Sequence, residues 1–403
     1  MLKNIKITNF YSIGKTQELS IAIASKDHLD DSSRLHEKSS TYFNSVACIV
    51  GANASGKTNM LKALAFLAWF IENSYSSFKA EQRIPIEMHK LRKKDSASIE
   101  IEFYQGDYLY SYFLELNPRQ VLKEQLKVKT QKRFVNIFTL ERNAEETVIT
   151  TAQSLKISAK DEERIKNRPN ISLLSGLIDL GYFPDILFFK KIESNVSQMG
   201  NEQGHSIIDS FNLSQAMYEK NDLREKILSF SNEIDFGISE FSFRDIVLRK
   251  RDDPDEQKKI TLLECKHYSQ KDSFLLPILE ESNGTQHSYA LLAEIFPILE
   301  TGGLVIIDEI ETGLHPHVAK KIISLFENKE TNPNDAQLIF STHQHLLLND
   351  RTKTQIFIAE KNNASLETEI YRLDDVQGVR NDENYFHKYL AGTYGGTPDV
   401  KWL

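Results

Sequence analysis

Cysteine is almost missing from this chain of 403 residues: Cys48 and Cys265 are the only two, far apart in sequence. A disulfide framework is therefore not what holds the fold, and a reducing compartment, the cytoplasm, is expected. Long apolar runs are missing too. The two longest, ALAFLAWFI at 63–71 and GGLVII at 302–307, fall well short of a membrane-spanning helix, and MLKNIKITNF at the start has no signal-peptide apolar region. No membrane partner is expected. Positive charge is not in excess, since 49 Lys and Arg against 57 Asp and Glu leave a net charge of −8. Nucleic-acid-binding domains usually carry a basic surplus, so any such contact here has to be local. Internal repeats, low-complexity tracts and sustained heptads are also lacking, which argues against a solenoid or a long coiled-coil arm. What remains is a chain 40% hydrophobic, large enough for one domain with insertions or for two intimate lobes.

The apolar pattern changes style along the chain. Ile5, Ile7 and Phe10 alternate as a half-buried strand does, ELSIAI (18–23) continues in that manner, and the polar stretch 24–40 reads as a loop. VACIV (46–50) has no wet face, as expected of a central parallel strand, and apolar residues at 60, 61, 64, 67, 68 and 71 then follow a helical period. From about 96 the sequence alternates on both sides of Gly106-Asp107, and VLKEQLKVK and FVNIFTL extend this into an antiparallel meander ending near 153. Residues 154–240 read mainly as helices. FSFRDIVLRK and KKITLLECKHY resemble a hairpin around the charged turn RDDPDEQ (251–257). A helix from about 285, a buried strand GLVIID (303–308), a helix after Pro316 and a strand QLIFST (337–342) complete the pattern.

Between VACIV and its helix lies GANASGKT (51–58), a complete G-x-x-x-x-G-K-[ST]. Gly51 and Gly56 let backbone N–H groups turn inward on phosphates, Lys57 reaches the β and γ oxygens, and Thr58 offers a hydroxyl to Mg²⁺ at a helix N-terminus. Gly51, Asn53, Ala54, Ser55, Gly56, Lys57, Thr58 and Asn59 form the candidate ATP site. LVIIDE (304–309) is a buried strand ending in two carboxylates: Asp308 can hold the Mg²⁺ shell, and Glu309 can polarise an attacking water. A strand followed by an acidic helix cap is the plainer reading of that segment. The pairs HQH (343–345) and HPH (315–317) raise a metal site, but no Cys pair or third ligand at plausible spacing accompanies either, and Pro316 more simply starts a helix. In RDDPDEQ, Pro254 breaks any strand that would aim the carboxylates together, so a solvated turn is expected rather than a two-metal centre.

With these motifs in this order the chain resembles ATP-binding-cassette ATPases. ESNGTQ (281–286) stands where their signature would stand, with Ser282, Gly284 and Gln286 at its polar and glycine positions. A small-residue turn at a helix start is the plainer alternative. The resemblance implies that this signature binds the γ-phosphate held by the opposite subunit. It also implies that His343, in STHQH (341–345), contacts the γ-phosphate, that ETGLHP (311–316) crosses a dimer interface, and that a glutamine, here Gln82, completes the Mg²⁺ shell. An AAA+ ring motor would lack the signature. The opening KITNFYSIG, with Asn9, Phe10 and Ser12, resembles the start of RecF, SMC and overcoming-lysogenization-defect (OLD) ATPases. The closing GVRNDENYFHKYLAGTYGGTP (378–398) is similar to RloA/AbiLi-type ATPases of abortive-infection and restriction loci. Their usual ending has an arginine before the Tyr-Gly pair, where this chain has Thr393, a departure that bears on any phosphate or partner contact of that arginine.

The expectation is thus an α/β P-loop NTPase, a RecF/SMC/OLD-like cassette head with an inserted β-meander and helical segment. Residues 1–95 and 241–403 would form the ATP-binding core and 96–240 the inserted lobe. ATP and Mg²⁺ would be its cofactors and ATP hydrolysis its reaction, with a homodimer closing on ATP, or a higher oligomer. The role implied is a nucleotide-gated sensor in anti-phage defence acting on a separate effector, because the 60 residues after His343 must finish the ATPase sheet and leave no room for the Toprim nuclease of OLD proteins. The alternative is a DNA-repair or maintenance clamp. KLRKK (90–94), the series Lys123, Lys127, Lys129, Lys132 and Arg133, and RKR (249–251) either line a nucleic-acid groove or are solvated charge on hairpin edges.

Overall fold

The computed structural model describes residues 1–23, 35–143, 145–183, 186–196, 207–234, 236–249 and 257–398. At its centre is a six-stranded sheet in the order Ile192–Ser194, Leu304–Ile307, Gln337–Ser341, Val46–Val50, Ile356–Lys361, Thr368–Arg372. The first five strands run parallel and the last closes the edge antiparallel. A parallel sheet is covered on both faces, and alternation of side chains sends successive residues to opposite sides. Ala47, Ile49, Leu304, Ile306 and Ile339 enter one core, while Val46, Cys48, Val50, Val305, Ile307, Leu338 and Phe340 enter another. Two full cores are why VACIV and LVII carry no polar residue.

The helix Lys57–Ser77 lies in the first core through Met60, Leu61, Leu64 and Phe70. Beyond it sits a seven-stranded antiparallel sheet in the order Thr147–Thr151, Phe134–Arg142, Val121–Lys129, Tyr108–Leu116, Ala97–Gln105, Leu2–Thr8, Gln17–Ser20. The meander is inserted in sequence, yet in space it continues the N-terminal hairpin, because Leu2–Thr8 pairs with Ala97–Gln105 and both feed the same core. The second core holds the helices Asn283–Thr301 and Pro316–Glu327, together with Asn221–Glu233 and the hairpin Ile238–Arg249 with Gln257–Tyr268.

Two expectations change. Residues 154–240 are helical at Ala159–Lys166, Leu173–Asp179, Ile207–Glu219 and Asn221–Glu233, but they also give the central sheet its edge strand Ile192–Ser194. The stretch expected as a loop at 24–40 contains the strand Leu35–Lys38, paired antiparallel with Thr41–Asn44 through Ser39 and Ser40, both with positive φ. His36 is buried there with its ring 3.2 Å from the Ala336 carbonyl, so tertiary contact, not apolar alternation, makes the strand. The turn residues 251–256, with Pro254, and both Lys250 and Arg251 of RKR lie outside the described residues.

Candidate nucleotide site

Three neighbouring parallel strands deliver the sequence motifs to one edge. Ser341 pairs with Ile49, and Ile307 pairs with Phe340. The segments that follow, Gly51–Thr58, Thr342–His345 and Asp308–Glu311, therefore leave the sheet side by side, with neighbouring strands about 4.8 Å apart.

The phosphate loop is shaped by close backbone approach. A Cβ on Gly51 would come 2.2 Å from the Ala359 carbonyl oxygen, and one on Gly56, at φ 104°, would come 2.1 Å from Thr368 Oγ1. Asn53 and Ala54 form the exposed tip, Ala54 with φ 61°. The Lys57 ammonium is buried and donates to the Gly51 and Ala52 carbonyls at 2.9 and 3.1 Å. Burial lowers its pKa, while Asp308, Glu309 and Glu311 act in the opposite direction. No side chain caps the helix that starts at Lys57, so its first-turn N–H groups have no side-chain acceptor at the cap. The Ser55 hydroxyl is buried without a hydrogen-bond partner. A glycine cradle, an uncapped helix start, a desolvated ammonium and an orphaned hydroxyl together fit a phosphate group.

Behind the loop stands a small polar brace. Asn59 Nδ2 donates to Ser12 Oγ at 2.7 Å, Ser12 Oγ lies 2.7 Å from Thr368 Oγ1, and Thr368 Oγ1 donates to the Ser55 carbonyl at 2.8 Å. Asn59 thus supports the loop from beneath. Asn9 is buried and its amide donates to the carbonyls of Arg92, Asp95 and Ser96, while Phe10 is in the first core.

At the acidic strand end, Asp308 is buried and its carboxylate accepts from Ser341 Oγ. Its own N–H donates to Asn195 Oδ1 at 2.7 Å. Glu309 has φ 52°, a left-handed conformation that costs a non-glycine residue about 1–2 kcal/mol. Its N–H donates to Ser341 Oγ at 2.8 Å, and the next N–H, of Ile310, donates to the Ser341 carbonyl at 3.1 Å. The carboxylate so placed is 3.8 Å from His343 Nε2 and 3.4 Å from Thr312 Oγ1. Glu311, the first residue of ETGLHP but given no role of its own by the sequence, receives the His343 N–H and the Thr342 hydroxyl, the latter at 2.6 Å. It ties the histidine loop to the acidic loop, as Ser341 Oγ ties the Asp308 carboxylate to the Glu309 backbone N–H. Only pairing across the sheet reveals these two residues. Burial, and then the neighbouring His343, hold His345 below the usual imidazole range.

The signature turn is built as a helix start. Ser282 Oγ accepts from Thr285 N at 3.2 Å and caps Asn283–Thr301, and Gln286 Nε2 donates to the Glu281 carbonyl at 2.8 Å. A Cβ on Gly284 would come 2.8 Å from the Gly313 carbonyl, so this turn is pressed against the loop at 311–315. Among the described residues, Ser282, Gly284 and Gln286 form no hydrogen bond with Gly51–Asn59. His315 caps the helix Pro316–Glu327, accepting from His317 N at 3.3 Å.

Gln82 is not brought to this site. It follows the 21-residue helix Lys57–Ser77, whose rise of 1.5 Å per residue places its far end about 30 Å from Thr58. There Gln82 is exposed and its side chain accepts from Lys79 N at 3.3 Å. Some of the basic residues are paired: Lys90 with Glu87, Arg92 with Glu367 and Lys123 with Glu141. No described helix is long and apolar enough to cross a membrane.

A family model described as "AAA domain, putative AbiEii toxin, Type IV TA system" matches residues 46–349. Among solved structures, the SMC head domain from Thermotoga maritima is similar at 14% identity, with 92% of this chain and 98% of that chain covered and a TM-score of 0.43. No curated protein matches.

Proposed function

The chain belongs to the AAA-domain family whose model spans residues 46–349, and from that premise we propose that it is a cassette-type ATPase acting as a nucleotide-gated regulator in bacterial anti-phage defence. One observation carries this reading. The Lys57 ammonium, the Asp308 and Glu309 carboxylates and the His343 ring, far apart in sequence, leave one sheet edge together. In this reading the loop Gly51–Thr58 holds the phosphates. Among the described residues no group of three or more His, Cys, Asp or Glu is placed to cage a metal, which suits Mg²⁺, usually held by one or two carboxylates plus substrate phosphates. Thr58 and Asp308 would be its protein donors, and the ion would neutralise charge on the phosphate oxygens. Glu309 is the group to accept a proton from attacking water, and the His343 ring is the donor to the γ-phosphate.

Ser282, Gly284 and Gln286 would complete the site from a second copy, closing a homodimer on ATP. ATP then shifts the population toward the closed state by its differential affinity, and hydrolysis reopens it. Residues 1–95 and 241–403, joined by the strand Ile192–Ser194 and the helix Asn221–Glu233 that enter their sheet and core, would supply the nucleotide core and the rest of 96–240 the lobe that meets other molecules, with the toxic step left to a separate effector in the cytoplasm. The resemblance of 378–398 to RloA/AbiLi-type ATPases and the abortive-infection name of the family support the defence setting. The test is the solution mass of Glu309→Gln with and without Mg–ATP. An ATP-dependent doubling that Ser282→Arg abolishes is expected. A mass indifferent to ATP, with turnover untouched by Ser282→Arg, overturns the sandwich.

A further inference from the structure

We propose that Tyr389 is a positioning residue for the phosphate loop, and that the segment Tyr389–Gly396 couples that loop to the histidine loop at 343–345. The inference rests on the proposed ATP site. Its ground is one shared acceptor: the Gly396 carbonyl receives the Ala52 N–H at 2.7 Å and the buried Tyr389 hydroxyl at 2.9 Å. Ala52 is the second residue of the loop, and its own carbonyl, with that of Gly51, holds the Lys57 ammonium. The hydroxyl of Tyr389 therefore helps to fix the peptide from which Lys57 is hung.

The segment is seated rather than draped. A Cβ on Gly396, at φ 69°, would come 2.5 Å from Ile358 Cγ2, and one on Gly395 would come 2.6 Å from the Tyr371 hydroxyl. Tyr371 in turn donates to the Tyr394 carbonyl at 2.7 Å. The strand Ile356–Lys361 that receives Gly396 also carries Ala359, whose carbonyl abuts Gly51. On its other side the Tyr389 ring meets His345 with centroids 4.8 Å apart, two residues beyond His343. A displacement of the histidine loop thus bears on the same side chain that steadies Ala52. Thr393 is exposed and takes no part in this chain of contacts, its N–H donating to the Lys388 carbonyl at 3.0 Å.

The experiment compares Tyr389→Phe, which removes only the hydroxyl, with Tyr394→Phe, which removes a hydroxyl of the same segment that is bonded away from the loop, to Glu383 at 2.7 Å. Mg–ATP affinity, kcat, KM and thermal stability are measured for both in the full chain. Tyr389→Phe is expected to weaken ATP binding roughly 3- to 10-fold, the worth of one buried hydrogen bond, and to raise KM with kcat nearly unchanged. Tyr394→Phe should lose comparable thermal stability and keep wild-type affinity. Tyr389→Leu, which also removes the ring facing His345, should lower kcat in addition. Equal affinities in the two Phe variants overturn the positioning role, and an unchanged kcat in Tyr389→Leu overturns the coupling. Wild-type protein that fails to bind Mg–ATP overturns the ATPase reading itself, and this inference with it.

Discussion

Gly51 and Gly106 both sit in turns, but only one of them is held by its surroundings. A methyl group on Gly51 would strike the Ala359 carbonyl, a backbone atom that cannot rotate away, whereas at Gly106 nothing lies within 4 Å and only φ 55° resists substitution. Gly51→Ala should therefore lose about 1–3 kcal/mol and abolish ATP binding, and Gly106→Ala should lose about 1 kcal/mol and bind ATP normally. Urea midpoints and nucleotide titration of the two variants check this. The same contrast explains what could be read at single residues. The motifs that carry Lys57, Thr58, Asp308 and Glu309 stood out because each is contiguous in sequence, and the structure brings their strands to one sheet edge. Ser341 and Glu311 did not, since their partners Asp308 and Thr342 come from another strand. Gln82 was chosen by residue type alone, and a helix length separates it from the loop.

Among the elements, the short helix Leu173–Asp179 shows how the meander is fastened to its surroundings. Its first two N–H groups, of Leu173 and Leu174, donate to the buried Glu124 carboxylate of the strand Val121–Lys129 at 2.6 and 2.9 Å. The Tyr112 and Ser172 hydroxyls donate to it as well, at 2.9 and 2.8 Å. All four groups are donors, and a carboxylate at a helix N-terminus is favoured by the helix dipole. An amide would turn an NH₂ against them. Glu124→Gln is expected to lose about 1–3 kcal/mol, read as a lower denaturation midpoint, with ATP affinity unchanged because the site shares no bond with this cluster. Long elements such as the meander strands and the helix Lys57–Ser77 were legible from their period. The three-residue strand Ile192–Ser194 is too short to show one, and the strand Leu35–Lys38 carries too little apolar alternation to be told from a loop.

For the whole molecule, the central sheet makes the two cores interdependent, because alternate residues of the same strands enter each. A ligand at its edge should therefore raise the stability of the entire unit. Mg–ATP at 100 times its Kd should add about 2.7 kcal/mol, seen as a higher thermal midpoint, and Lys57→Ala should remove that gain. By itself the sequence determined the phosphate loop, the acidic strand, their order and the class of fold, because a glycine-rich loop between a dry strand and a helix leaves the backbone few alternatives. Tertiary structure alone decided which distant residues meet: the meander joined to the N-terminal strand, Glu311 on the histidine loop, Gly396 on Ala52. Those contacts depend on sheet order and close backbone approach, and neither leaves a periodic trace along a chain.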